Sequence, residues 1–316
     1  MVISLLSVLF SLSVGSVETS LYEVISALLG EDVGIEAKVI TELRLPRVIA
    51  GFLVGGMLAL AGVLMQVMLR NPLAEPYVLG VSGGASVFAL LAIIFSLSSI
   101  MINLSAFCGA LISILLVFGL SHMKSQWNPM RVLLTGVVIA AGWFAVVSFL
   151  LAVSPSTQVH GMLFWLMGDL SFANYSSFSL VILLVSILIT MSIARSLNLL
   201  SHGDHKAATL GVSVAPLRYL VYFLSSVLTA AAVMQAGGIG FVGLIIPHLV
   251  RLLLGSDHRI LIPVAVLLGG SLLVIADGLA RIIIAPLQLP VGVLMAMLGV
   301  PLFLVLLQAM VVKQKT

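Results

Sequence analysis

The chain has 316 residues, of which 61% are hydrophobic and 8% charged, with a net charge of +3 at pH 7. A charged share that far below the ~25% of a soluble domain excludes an ordinary water-soluble enzyme or binding module. The small positive excess is too weak for a nucleic-acid surface and reads as loop asymmetry around a membrane. Continuous apolar runs of about 20 residues point to an all-α integral membrane protein, because lipid leaves every backbone group to be satisfied within its own segment. A barrel would instead show short alternating stretches. One transmembrane domain over residues 1–316 is expected.

Ten spans are predicted, with short re-entrant and interfacial helices between them: 1–15, 47–69, 81–102, 104–122, 132–153, 178–195, 217–236, 241–254, 260–284 and 291–312. The first begins at the initiator Met without a basic leader, so it does not resemble a cleaved signal peptide. With both termini in the cytoplasm, the 14 Lys and Arg residues divide ten inside to four outside, as the positive-inside rule expects. The outer loop 16–46 is acidic, and Tyr22, Val24, Ile25 and Leu28 predict a surface helix within it. Leu43-Arg44-Leu45-Pro46-Arg47 then sets two arginines at an outer membrane edge. Headgroup snorkelling and docking of an acidic partner are both open readings.

In the second span, Gly51, Gly55, Ala59 and Gly62 recur near spacing four, a close-packing signal. Met57, Met65 and Met68 read as core filling rather than a metal path, and Cys108 as a small buried hydrophobe. Pro72 and Pro76 within 70–84 predict a structured re-entrant loop. The polar loop 121–131 follows the fourth span. A short rim helix is predicted over 162–167 with an interfacial Trp165, beside a loop residue His160. The polar island 195–218 predicts a short helix: Ser201 and Asp204 as caps, Ala207, Ala208 and Leu210 as its apolar face, Gly211 as its stop. A capped helix outside a membrane is suited to contact a partner. Pro247 makes a broken eighth span plausible, and Asp277 and Arg281, four apart, share a helix face and can pair.

No GxxxxGK[ST], HExxH or CxxC motif occurs. His202, Asp204 and His205 are a weak metal signal, and no chain of buried carboxylates and histidines runs through the spans. The chain has the outline of a transporter without a motor of its own.

The stretch from RLPRVIAGFLVGG to RNPLAEPYVLGVSGGA resembles the FecCD family, as do FWLMGDL, GDHKAATLGV, GGIGFVGLIIPHLVR, ADGLAR and LPVGVLMAMLGVPLF in order. That family comprises permease subunits of type II ABC importers for ferric siderophores, haem and cobalamin. The resemblance implies a homodimer with a central path in the bacterial inner membrane, two cytoplasmic ABC ATPase subunits and an extracytoplasmic substrate-binding protein. It implies no catalytic residues, metal or cofactor in this chain, with ATP and Mg held by the partner. It assigns ATPase coupling to Gly203, Asp204, Ala207, Leu210 and Gly211, and binding-protein docking to Arg44, Arg47 and Arg281. Asn71 and Leu73 of the NPLA motif match the family's cytoplasmic gate, whereas Pro129 and Met130 do not match its second gate element. An ion-gradient-driven secondary transporter is the rival reading.

Overall fold

The structure, a computed structural model, describes residues 1–15, 19–30, 34–122, 129–171, 173 and 177–313. Residues 123–128 of the polar loop, and Glu18, Glu31 and Asp32 of the acidic loop, lie outside the described residues. In chain order the α-helices are α1 (Val2–Ser13), α2 (Leu21–Leu29), α3 (Ile35–Lys38), α4 (Leu45–Leu69), α5 (Val81–Ile94), α6 (Ser99–His122), α7 (Pro129–Val153) and α8 (Ser156–Met167). They continue as α9 (Ser177–Ser192), α10 (Ala194–Ser201), α11 (Asp204–Thr209), α12 (Val214–Ala236), α13 (Val242–Leu254), α14 (His258–Ala280) and α15 (Val291–Lys313). No strand occurs among the described residues.

Each of the ten predicted spans is occupied by an apolar helix. Among the described residues, five helical stretches are long and apolar enough to cross a membrane: 35–69, 99–121, 130–153, 214–236 and 258–280. α9 and α10 meet the same criterion only when taken together, bent by 66°, as a broken span or a re-entrant pair. α1, α5 and α13 are shorter apolar helices of 12 to 14 residues. The second span begins well before residue 47, because the chain is helical from Ile35 onward. Val39–Arg44 forms a π-helical turn, and Leu45 N–H bonds back to Ile40 O. Pro46, which has no N–H to give, follows this change of ladder.

α4 is the axis of the fold. It is apolar all round, and its segment from Gly51 to Leu69 is almost wholly buried, as expected for a helix with neighbours on every side. It packs against α12, α13 and α14. Small residues allow this. A methyl at Gly55 would lie 2.3 Å from Gly269 O of α14, and one at Gly62 would lie 2.0 Å from Gly243 O of α13. Met57, Met65 and Met68 are buried in this core. Cys108, by contrast, is exposed on α6 rather than buried.

α13 runs through Pro247 without a break. The proline cannot bond to Gly243 O, four residues earlier. Gln66 of α4 donates to that carbonyl at 3.2 Å and to Leu244 O at 3.4 Å. Gln66 in turn accepts from Arg251 Nη1 one turn further along α13. A side chain of the neighbouring helix thus replaces the missing backbone donor.

The predicted surface helix is α2, with a Ser20–Glu23 capping box and Gly30 in the left-handed region at its end. Val24 of the four marker residues is buried, while Tyr22, Ile25 and Leu28 are exposed. α8 begins at Ser156, so His160 lies on a helix and touches Phe164 rather than sitting in a loop. Trp165 is partly buried and packs against two core clusters.

Candidate functional site

The polar groups collect at the two ends of α4. Its 25 residues span roughly 37 Å at 1.5 Å per residue, with Arg47 in its first turn and Arg70 just past its last.

At the Arg70 end, the island folds as two short helices rather than one. Ser201 is the last residue of α10 and donates back to Asn198 O, so it does not cap α11. Gly203 is the N-cap, at φ 109°, a conformation that favours glycine. Asp204 lies in the first turn and serves as a clasp. Its carboxylate accepts from Arg70 at the end of α4 at 3.4 Å, and from Arg218 of α12. Ala207 is buried against the bundle, whereas Ala208 and Leu210 point away, Leu210 being 64% exposed. The predicted apolar face is therefore split between an anchor and an exposed tip. Gly211 ends the turn at φ 84° with open space around it. His202 directs Nδ1 to Asn198 O at 2.8 Å. Among the described residues no three His, Cys, Asp or Glu side chains are grouped to hold a metal.

Asn198 of α10 ties this end to the start of α14. Its Nδ2 donates to Asp257 at 2.8 Å, and its Oδ1 accepts from His258 N at 2.9 Å. The Asn198 donor holds the Asp257 carboxyl below its ordinary range.

The segment after α4 is the expected re-entrant loop. Asn71 Oδ1 accepts from Leu73 N at 2.9 Å, and a 3₁₀ turn over Pro76–Leu79 leads into α5. Glu75 Oε1 accepts from Phe241 N at 2.7 Å, and the Tyr77 hydroxyl accepts from Ile239 N at 3.2 Å. Both bonds fasten the loop to the glycine-rich turn at the start of α13. Burial pushes the Glu75 carboxyl above its ordinary value, with the Phe241 N–H acting in the opposite sense. Sequence reading missed Glu75 as a half-buried polar anchor, although a carboxylate between two prolines in an apolar chain was a usable signal.

At the other end, Arg44, Arg47 and Arg281 converge with Asp277. The predicted Asp277–Arg281 pair forms at 3.4 Å. A closer pair was not legible: Arg47 reaches Asp277 at 2.8 Å and also donates to Gln288 Oε1 at 2.9 Å. Arg44 and Arg281 are turned inward onto the end of α1. Arg44 donates to Leu12 O at 2.6 Å, and Arg281 donates to Ser11 O at 2.8 Å. These two carbonyls belong to the last turn of α1, where carbonyls lack helical donors and cations are favoured. The three guanidiniums and Gln288 line an open cavity of about 130 Å³. Among the described residues, three cations surround one carboxylate there.

A larger cavity of about 660 Å³ lies nearby, lined by Asn103, His160, Trp165, Asp169, Gln235 and Gln288 among others. Asp169 holds Ser171 through its backbone N–H and its hydroxyl.

The model of the FecCD transport family matches residues 3–309. The Fe(3+) dicitrate transport system permease protein FecD of Escherichia coli is 41% identical over 86% of this chain and 86% of its own length. The hemin transport system permease protein HmuU of Yersinia pestis is 41% identical over 83% of this chain and 80% of its own. A solved structure assigned to the metal-chelate type of ABC transporter, in an inward-facing conformation, superimposes with a TM-score of 0.86. It is 34% identical, over 98% of this chain and 97% of that one.

Proposed function

The chain belongs to the FecCD transport family, and from that membership we propose that it forms the translocation path of an ATP-driven importer for an iron chelate. The observation that carries this reading is the family match across residues 3–309, with the island helix α11 standing at one end of the bundle and the arginine cavity at the other. The cargo class follows from relatives named for Fe(3+) dicitrate and hemin; a ferric siderophore, haem or cobalamin fits the same architecture. The working unit is a homodimer in the bacterial inner membrane with both termini cytoplasmic. Two ABC ATPase subunits supply ATP and Mg, and an extracytoplasmic binding protein delivers the cargo. This chain contributes no catalytic group.

Coupling runs through residues 203–211. Leu210 enters the ATPase surface, while Ala207 and the Asp204 clasp pass its displacement to α12 and to the end of α4. Asn71 and Leu73 form the cytoplasmic gate directly after α4. The binding protein docks through a carboxylate at the arginine cavity. Arg44, Arg47 and Arg281 all line it, and each also holds an internal partner: the end of α1 for Arg44 and Arg281, Asp277 and Gln288 for Arg47.

The test is reconstitution in liposomes with the partner ATPase and binding protein, using labelled ferric citrate and haem. Uptake is expected to require ATP and to be lost in Leu210→Asp, whose side chain lies outside the core. Uptake by this chain alone, driven by an ion gradient without ATP, would establish the secondary-transporter reading in its place.

A further inference from the structure

The 70–80 loop is gripped at two places by different parts of the chain. At its start, Arg70 is held by Asp204 of α11. At its middle, Glu75 and Tyr77 accept the N–H groups of Phe241 and Ile239 at the entry to α13. The fit there is close: Glu75 Oε1 is 3.5 Å from a methyl position on Gly240, and Pro76 Cδ is 3.0 Å from one on Gly243. Phe241 itself is left-handed, at φ 70°, so this turn is a strained shape that its contacts must hold. The far end of α13 leads into the turn that Asn198 fixes through Asp257 and His258. Asn198 and Asp204 sit on adjacent helices joined only by His202 and Gly203. The pair α10 and α11 therefore reaches the loop by two routes. It acts directly at Arg70, and along α13, roughly 20 Å long, at Glu75.

We propose that Glu75 is a positioning residue that latches the gate loop to α13, so that displacement of α10 and α11 reaches Asn71 and Leu73 from both sides. The latch rests on the functional reading given above. It does not touch cargo or nucleotide. A carbonyl oxygen suffices for the bond to Phe241 N, so the chemistry required is an acceptor of carboxylate or amide geometry. Tyr77 is a second, weaker point of the same latch.

The experiment reads the gate without needing the cargo. In a Cys108→Ser background, Leu73→Cys is labelled with a water-soluble maleimide in the complex with its ATPase, nucleotide-free and trapped with ADP-vanadate. The parent is expected to change its labelling rate between the two states. Glu75→Ala is expected to shrink that change by about tenfold, the size of an ordinary coupling between sites. Glu75→Gln, which keeps the acceptor, is expected to restore it to within about twofold, and Tyr77→Phe to give an intermediate loss. Rescue by Gln separates positioning from a need for charge. A full response in Glu75→Ala, or failure of Glu75→Gln to rescue, overturns the latch. A flat response in the parent rejects the gate assignment of the loop, and the latch with it. If Glu75→Ala does not assemble, Tyr77→Phe decides: an unaltered response there overturns the proposal.

Discussion

Asp277 balances two arginines on one carboxylate, 3% exposed, at the end of α14. Removing its charge leaves Arg47 and Arg281 facing each other without a counter-ion. Asp277→Asn is expected to destabilise the chain by about 3–5 kcal/mol, the usual consequence of stripping one partner from a buried pair. The drop should register as a lower Tm of the detergent-purified chain, and an unchanged Tm would show that Arg47 and Arg281 do not depend on it. Spacing alone exposed half of this cluster. Asp277 and Arg281 are four apart on one helix, so their pairing was legible. Arg47 lies 230 residues from Asp277 in the chain, and its share of the carboxylate follows only from how α4 and α14 cross. The same limit hid the inward turn of Arg44 and Arg281. Both bond to carbonyls at the end of α1, an acceptor that side-chain spacing does not announce.

Among the elements, the small-residue stripe of α4 was read correctly as close packing, and the structure supplies its partners. Gly62 meets Gly243 O, and a methyl there would sit 2.0 Å away. Gly62→Ala is expected to destabilise by about 1–3 kcal/mol through overpacking. Gly119→Ala on α6, with nothing within 4 Å, should be neutral or slightly stabilising through loss of glycine's backbone freedom. Thermal melts of the two variants check this, and equal Tm values would refute the contrast. Helix boundaries were less legible. The π turn over Val39–Arg44 extends the second span to Ile35, because a helix whose hydrogen-bond ladder changes register continues past a proline that would otherwise mark its start. Pro247 did not break α13, because Gln66, a residue of another helix, accepts the role of donor to Gly243 O.

The whole molecule sets the short helix α11 and a cationic cavity at opposite ends of one buried helix. Docking at the cavity can be tested without replacing an arginine, at the Gln288 side chain that Arg47 touches. Gln288 is exposed and lines it, so Gln288→Glu adds a negative charge where a partner carboxylate would sit. Association with the binding protein is expected to weaken by roughly two- to fivefold at low salt, with the difference fading as ionic strength rises. Equal affinity at low salt, measured by surface plasmon resonance, would remove the docking role. The solvent, the helical class, the ten apolar segments and the family resemblance were all determined by the sequence, since composition and periodicity are properties of neighbouring residues. Tertiary structure alone decided which polar groups meet: Asp204 with Arg70 and Arg218, Asn198 with Asp257 and His258, Glu75 with Phe241. Each of these bonds spans an interval of chain with no fixed period. In an apolar bundle such groups are held by whichever partner the helix crossings bring within reach, and crossing geometry is a property of the packed core rather than of any one segment.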